Sequence, residues 1–221
     1  MALHNPSGVV AGIDIGGVRK GCHLVVIRGR EVLCNVKSGD PEYLARQCNE
    51  FGAVLVGIDS PCRWARPGMG RIAERALSKE RIFCFATPSR ERALGSTSGF
   101  YDWMFNGERV YQALAATHSL LAESQYSGGR VCFETFPHAV TCALLGTEVA
   151  SAKKKREQRR ALLQSAGIDT SALRSIDAID AAVCALTAEY LRLGQARAYG
   201  DGEGGFIFVP QFSARVPLPE N

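Results

Sequence analysis

Three times in this chain an apolar, β-branched run ends on an acid and then meets a chain-breaker. Val9 to Ile13 runs into Asp14 and then Ile15-Gly16-Gly17; Val54 to Ile58 runs into Asp59 and then Ser60-Pro61; Val131 to Phe133 runs into Glu134 and then Thr135-Phe136-Pro137. Short apolar runs bounded by Gly and Pro read as buried strands. A carboxylate at the end of a buried strand is costly to desolvate unless a cation or a hydrogen-bond donor meets it. The pattern therefore predicts a sheet whose strand ends converge on one polar site.

The segments between these runs supply the rest of the sheet and its cover. Cys22–Ile27 and Glu31–Val36 read as two strands joined at Gly29-Arg30, a Gly-X pair suited to a two-residue hairpin. Asp40-Pro41-Glu42 is a helix start, with Asp as cap and Pro at the first turn; Phe51-Gly52 is its stop. Strand, helix, strand in this order implies parallel pairing of the Asp14 and Asp59 strands. Residues 60–106 read as a long irregular insertion holding a short helix near Arg71–Lys79, and such an insertion beside a site suits a functional role. Residues 107–123 resume helical spacing, Pro137–Leu145 reads as a helix stopped by Gly146, and Ser175-Ile176-Asp177 opens a last long helix ending near Leu193-Gly194. Residues 201–205 read as a loop, and 206–209 as one further short strand.

With 221 residues and 46% hydrophobic content, the chain is long and apolar enough for one α/β domain over residues 1–221. Its 8 cysteines form no Cys-x-x-Cys pair and lie mostly in apolar runs, which suits reduced, buried thiols and a cytoplasmic location. No segment near the start reads as a secretory leader, and no apolar run approaches the ~20 residues of a membrane span. His4, His23, His118 and His138 show no zinc spacing, and no Ser/His/Asp arrangement stands out; His138, after the Glu134 strand, is the one kept as a site candidate.

The element order matches a ribonuclease-H-like arrangement: a mixed five-stranded sheet, order 3-2-1-4-5, the Asp14 strand central and helices on both faces. Neighbouring strands lie ~4.8 Å apart, so Asp14 and Asp59 are expected side by side. Two carboxylates that close repel unless a cation lies between them. Mg²⁺ or Mn²⁺, bound by two or three carboxylates and water, suits that need. Asp177 and Asp180, at i,i+3 on the last helix, share a face, and Ala181-Ala182 let that helix approach the sheet. Asp177 reads equally well as a helix cap.

Several segments together resemble domain-of-unknown-function family 429. They are Gly12-Ile-Asp14-Ile-Gly-Gly, Gly57-Ile-Asp59-Ser-Pro, Arg71-Ile-Ala-Glu74-Arg75, Thr87-Pro88, Trp103-Met104-x-x-Gly107, Phe133-Glu134-Thr-Phe-Pro137 and Asp177-Ala-Ile-Asp180-Ala-Ala. The resemblance spans residue 9 to about residue 210. That family is described as predicted nucleases of ribonuclease-H-like fold, and the first strand acid and the helix pair are also similar to those of Holliday-junction resolvases. The resemblance implies a metal-dependent nuclease with Asp14, Asp59, Asp177 and Asp180 as metal ligands. On this reading Asp14, Asp59 and Asp180 are catalytic, with Glu134 assisting. Asp14 would bridge two ions, Asp59 holding one and Asp180 the other or a ligand water.

Substrate contacts are expected from Arg71 and Arg75 on a phosphate, and from Lys154 and Lys155 in the basic run Lys153–Arg160, a run that reads as well as a solvated helix start. Phe100, Tyr101, Trp103 and Phe105 suit either base stacking or local core. The expected partner is DNA or RNA, not a membrane, and a homodimer is compatible with the reading. Two rivals remain. Gly-Ile-Asp-Ile-Gly-Gly also resembles the phosphate loop of sugar kinases and actin-like ATPases, which need two such domains closing on a nucleotide. The other rival is a non-catalytic regulator on the same fold.

Overall fold

The structure, a computed structural model, describes residues 8–211. His4 and the segment 1–7 lie outside the described residues. Among the described residues eight strands form one sheet: β1 (Val9–Asp14), β2 (Cys22–Arg28), β3 (Glu31–Ser38), β4 (Leu55–Asp59), β5 (Ser119–Leu120), β6 (Val131–Thr135), β7 (Ala196–Asp201) and β8 (Gly205–Pro210). Their order is β3-β2-β1-β4-β6-β8-β7, with β5 paired to β6. β1 is antiparallel to β2 and parallel to β4, and β4 is parallel to β6. The expected order of five strands is the first five places of this path, and the fold is ribonuclease-H-like α/β.

The sheet is larger than expected, with eight strands in place of five, and β4 lies at the middle of the path where β1 was expected. β8 is the further short strand read at 206–209, here joined to the sheet beside β6, and β7 is an unexpected strand that pairs with it as a hairpin. The other extra strand, β5, is only two residues long. It occupies what spacing reads as the tail of a helix, because α4 (Asp102–Leu114) starts five residues earlier than expected and ends at Leu114. Short edge strands leave little periodicity to read.

Helices cover both faces. α1 (Pro41–Glu50) and α4 pack Leu44, Cys48, Val110 and Leu114 against Ala11, Ile13, Val56 and Ile58. On the other face α7 (Ile176–Arg192), with α5 (Pro137–Leu145) and α6 (Lys155–Ser165), packs against Val10, Leu55 and Phe133. Asp40 accepts from the Glu42 amide, as read, whereas the cap of α7 is Ser175, which accepts from the Ala178 amide, and not Asp177.

α7 lies unusually close to the sheet, and two glycines explain it. A Cβ on Gly12 would stand 2.0 Å from the Ala181 carbonyl oxygen, and one on Gly57 would stand 2.6 Å from that of Cys184. Residues two apart on a strand share a face. Gly12 and Asp14 therefore both face α7, as do Gly57 and Asp59. The helix rests on the glycines, and its preceding turn, with Asp177 and Asp180, is carried over the two strand-end carboxylates.

The insertion is only partly irregular. It contains α2 (Ile72–Lys79), α3 (Arg90–Leu94) and the first turns of α4. α2 packs Ala73 and Leu77 against Tyr199 and Ile207 of the β7–β8 hairpin, so the insertion and the added hairpin cover each other.

Candidate active site at the strand ends

Asp14 and Asp59 are directly opposite one another in the β1–β4 ladder. Neither makes a hydrogen bond or ion pair with another described residue. Burial, reinforced by the negative charges of Asp180 and Asp177, raises the Asp14 carboxyl to about 7. Burial and the negative charges of Asp14 and Asp180 push Asp59 well above the usual carboxylate range. Both shifts are led by burial and increased by neighbouring carboxylates, so both acids sit where positive charge is short.

The remaining two acids arrive with cations of their own. Asp180 is buried and accepts a hydrogen bond from Arg159 Nη1 of α6 at 2.5 Å. Asp177 accepts from Lys20 Nζ at 2.7 Å, so it does not cap α7; Ser175 does. Lys20 sits in the loop after β1, folded as a tight turn in which the Lys20 and Gly21 amides donate to the Gly17 carbonyl. Asn106 of α4 braces the loop by donating to the Gly16 carbonyl at 2.7 Å. Burial is the largest influence on Asp180 and raises it, with Arg159 opposing.

Glu134 belongs to a different arrangement. It is level with Ile58, not beyond Asp59, and points to the sheet face opposite Asp14 and Asp59 because strand side chains alternate. There Arg71 meets both its oxygens, at 2.9 and 2.6 Å, and the Cys62 amide donates at 2.8 Å. Arg71 is only 3% exposed and also donates to the Gly204 carbonyl. Glu74, beside Arg71, accepts from the Thr87 amide and hydroxyl. This buried network ties β6, the insertion and the β7–β8 hairpin together. The structure thus turns Arg71 inward, away from the phosphate contact expected of it, and commits Glu134 to Arg71. Arg75 spends its guanidinium on the Gly70 carbonyl at the surface.

In the basic run, Lys153, Lys154 and Lys155 are exposed, while Arg156 and Arg160 donate to carbonyls of residues 170–174. Arg159 is the residue that sequence reasoning missed as a member of the site. Its signal was present: Arg159, Leu162 and Leu163 fall on one helical face at i, i+3 and i+4, so this arginine lies on the buried side. His138 lies near Cys142 and Phe136, and burial lowers its pKa; it makes no contact with the acids.

Among the described residues no three Asp, Glu, His or Cys groups are gathered as a ready ligand set. The physical reason is visible: Arg159 and Lys20 hold the third and fourth carboxylates. No described helix is long and apolar enough to cross a membrane.

The sheet pairs two carboxylates at adjacent strand ends, overlaid by a helix carrying two more. The chain belongs to the family described as Protein of unknown function (DUF429), whose model matches residues 12–203. No curated protein matches it. A solved structure titled Thermus thermophilus RuvC structure is similar at 18% identity, covering 86% of this chain and 98% of that chain with a TM-score of 0.44.

Proposed function

We propose that this protein is a metal-dependent phosphodiester hydrolase acting on nucleic acid. The observation that carries the reading is the Asp14–Asp59 pair: two adjacent, partly buried carboxylates without a partner among the described residues. The donor set is all oxygen and short of positive charge, which fits Mg²⁺ or Mn²⁺ better than a softer metal. Asp14 and Asp59 would hold one ion. Asp14 and Asp180 would hold a second once Arg159 turns from Asp180, with Asp177 free to assist when Lys20 leaves it. Bound divalent ions supply charge that activates water and stabilises a leaving oxygen.

The chain's own residues account for the remaining tasks. Arg159 lies close enough to lower the proton affinity of both Asp14 and Asp59, and its buried Nε has no partner. A guanidinium so placed can pass from Asp180 to a phosphate oxygen. Lys20, more than half exposed, can do the same from the other side. Lys153, Lys154 and Lys155 offer sequence-independent attraction to a phosphate backbone. Arg71 and Glu134 would keep the strand end and insertion in register instead of touching substrate.

The test is a cleavage panel with Mn²⁺ or with chelator: single-stranded and duplex DNA, RNA, hybrid, branched DNA and ATP. Metal-dependent cleavage of a polymer, lost in Asp14→Asn, is the expected result. Phosphate release from ATP without polymer cleavage would instead favour the kinase-like reading.

A further inference from the structure

The aromatic side chains of the insertion divide into two groups. Phe105 packs on Trp64, with ring centroids 4.9 Å apart, and lies beneath Arg90; this is local core. Phe85 is different. It is the hub of a cluster with Phe100, Tyr101 and Trp103, at centroid distances of 5.5, 6.2 and 6.1 Å, yet it remains 42% exposed. Its neighbour Phe100 is 57% exposed. Aromatic rings held in edge contact with one another but left open to water are poor core and a good stacking surface.

This surface borders Asp59. A cavity of about 60 Å³ is lined by Phe85 and Trp103 together with Asp59 and Ser60, and it is also bordered by Glu74 and Glu134 of the Arg71 network. The Ser60 hydroxyl is buried and has no partner. Room for it is made by Gly107, where a Cβ would stand 2.0 Å from Ser60 Oγ. On its other side Phe85 lines an open groove shared with Tyr101 and Arg92. Arg92 is exposed and makes no ion pair with a described residue. The wall thus has an apolar, partly polar-edged niche beside Asp59 and an unspent cation behind it.

We propose that Phe85, backed by Trp103, is a stacking platform for one unpaired nucleobase of the strand whose phosphate lies at Asp14 and Asp59. Ser60 meets an edge of that base, and Arg92 meets the adjoining backbone. This rests on the nucleic-acid reading of the site and adds the substrate class: strands with an unstacked base at the scissile position, in preference to continuous duplex. A base within a duplex presents no face to Phe85. A stacked base is worth about 1–3 kcal/mol by alanine substitution, a factor of roughly 5–150 in affinity.

The test is binding, read by fluorescence anisotropy in the full chain carrying Asp14→Asn, so that chemistry does not intervene. Three labelled 12-mers serve as probes: a single strand, the same strand with one abasic position, and a perfect duplex. The expected result is tighter binding of the intact single strand than of the abasic strand or the duplex. Phe85→Ala should weaken the single strand at least fivefold and leave the duplex unchanged, while Phe85→Tyr restores it. Phe85 is exposed, so both variants should fold; a melting curve checks this. Equal weakening of strand and duplex, or no change in either, would overturn the proposal. If Phe85-dependent strand binding is found while the wild type cleaves nothing, the stacking platform stands and the hydrolytic reading falls.

Discussion

Arg159 of α6 reaches across to Asp180 of α7, and both side chains are less than one-tenth exposed. The pair sits where the helix overhangs Asp14 and Asp59, so one guanidinium serves a buried acid and softens the charge of two more. Removing one partner of a buried pair leaves the other desolvated and alone, at a cost of about 3–5 kcal/mol. Arg159→Ala should therefore lower the urea midpoint substantially in metal-free buffer. Mn²⁺ should recover part of that loss, since the ion replaces the missing charge. A variant as stable as the wild type would show that the pair contributes little.

The Arg71–Glu134 pair predicts the opposite relation to metal. Glu134→Gln should weaken the fold, because it strips charge from a buried two-pronged contact that also anchors the insertion. The rise in melting temperature on adding Mn²⁺ should be as large as in the wild type. Loss of that rise would return Glu134 to the ligand set.

A pH dependence follows from Asp14. Its carboxyl is raised to about 7 in the folded chain from an ordinary value of 3.8. A group raised on folding favours the fold fully below its unfolded value, and the contribution is lost as pH climbs through the folded value. Metal-free wild type should thus lose stability across pH 4–7. Asp59 shifts the same way, through burial and the nearby negative charges of Asp14 and Asp180. His23, His118 and His138 have lowered values and act with the opposite sign below pH ~6.5. The clean readout is therefore the difference between Asp14→Asn and wild type. It should grow in favour of the variant between pH 5 and 8, by about 2–4 kcal/mol at most. A difference that is flat with pH would mean that neither burial nor the neighbouring acids raise Asp14.

The glycines that seat α7 give a packing prediction. Gly12→Ala drives a methyl group into the α7 backbone and should cost about 3 kcal/mol or more. Gly17→Ala meets nothing within 4 Å and should be nearly neutral. Chemical denaturation of the two variants side by side checks this, and equal stabilities would contradict the close approach of helix and sheet.

The parts of this molecule legible in sequence are those governed by local chemistry. The apolar runs, the Asp40 cap and the Gly29-Arg30 hairpin each carry their own signal. The Asp14–Asp59 adjacency needed only the order of the strands. What stayed hidden depends on partners distant in sequence. Nothing local to Glu134 says that Arg71 will take it, and nothing local to Asp177 says that Lys20 lies 2.7 Å away. The face on which Glu134 lies follows from its register against Ile58, which a count from the strand end misplaces by one residue. β7 is an edge strand with charged residues and Gly in its run, so alternation is weak there.

The central claim is that Asp14 and Asp59 lack a positive charge which a divalent ion supplies. The most direct measurement is the melting temperature with and without millimolar Mn²⁺ in wild type, Asp14→Asn and Asp59→Asn. An ion that binds the folded chain and not the unfolded one raises it in proportion to how far its concentration exceeds the dissociation constant. A clear rise is expected in the wild type, and little or none in either variant. An equal rise in wild type and Asp14→Asn would place the ion elsewhere and contradict the account.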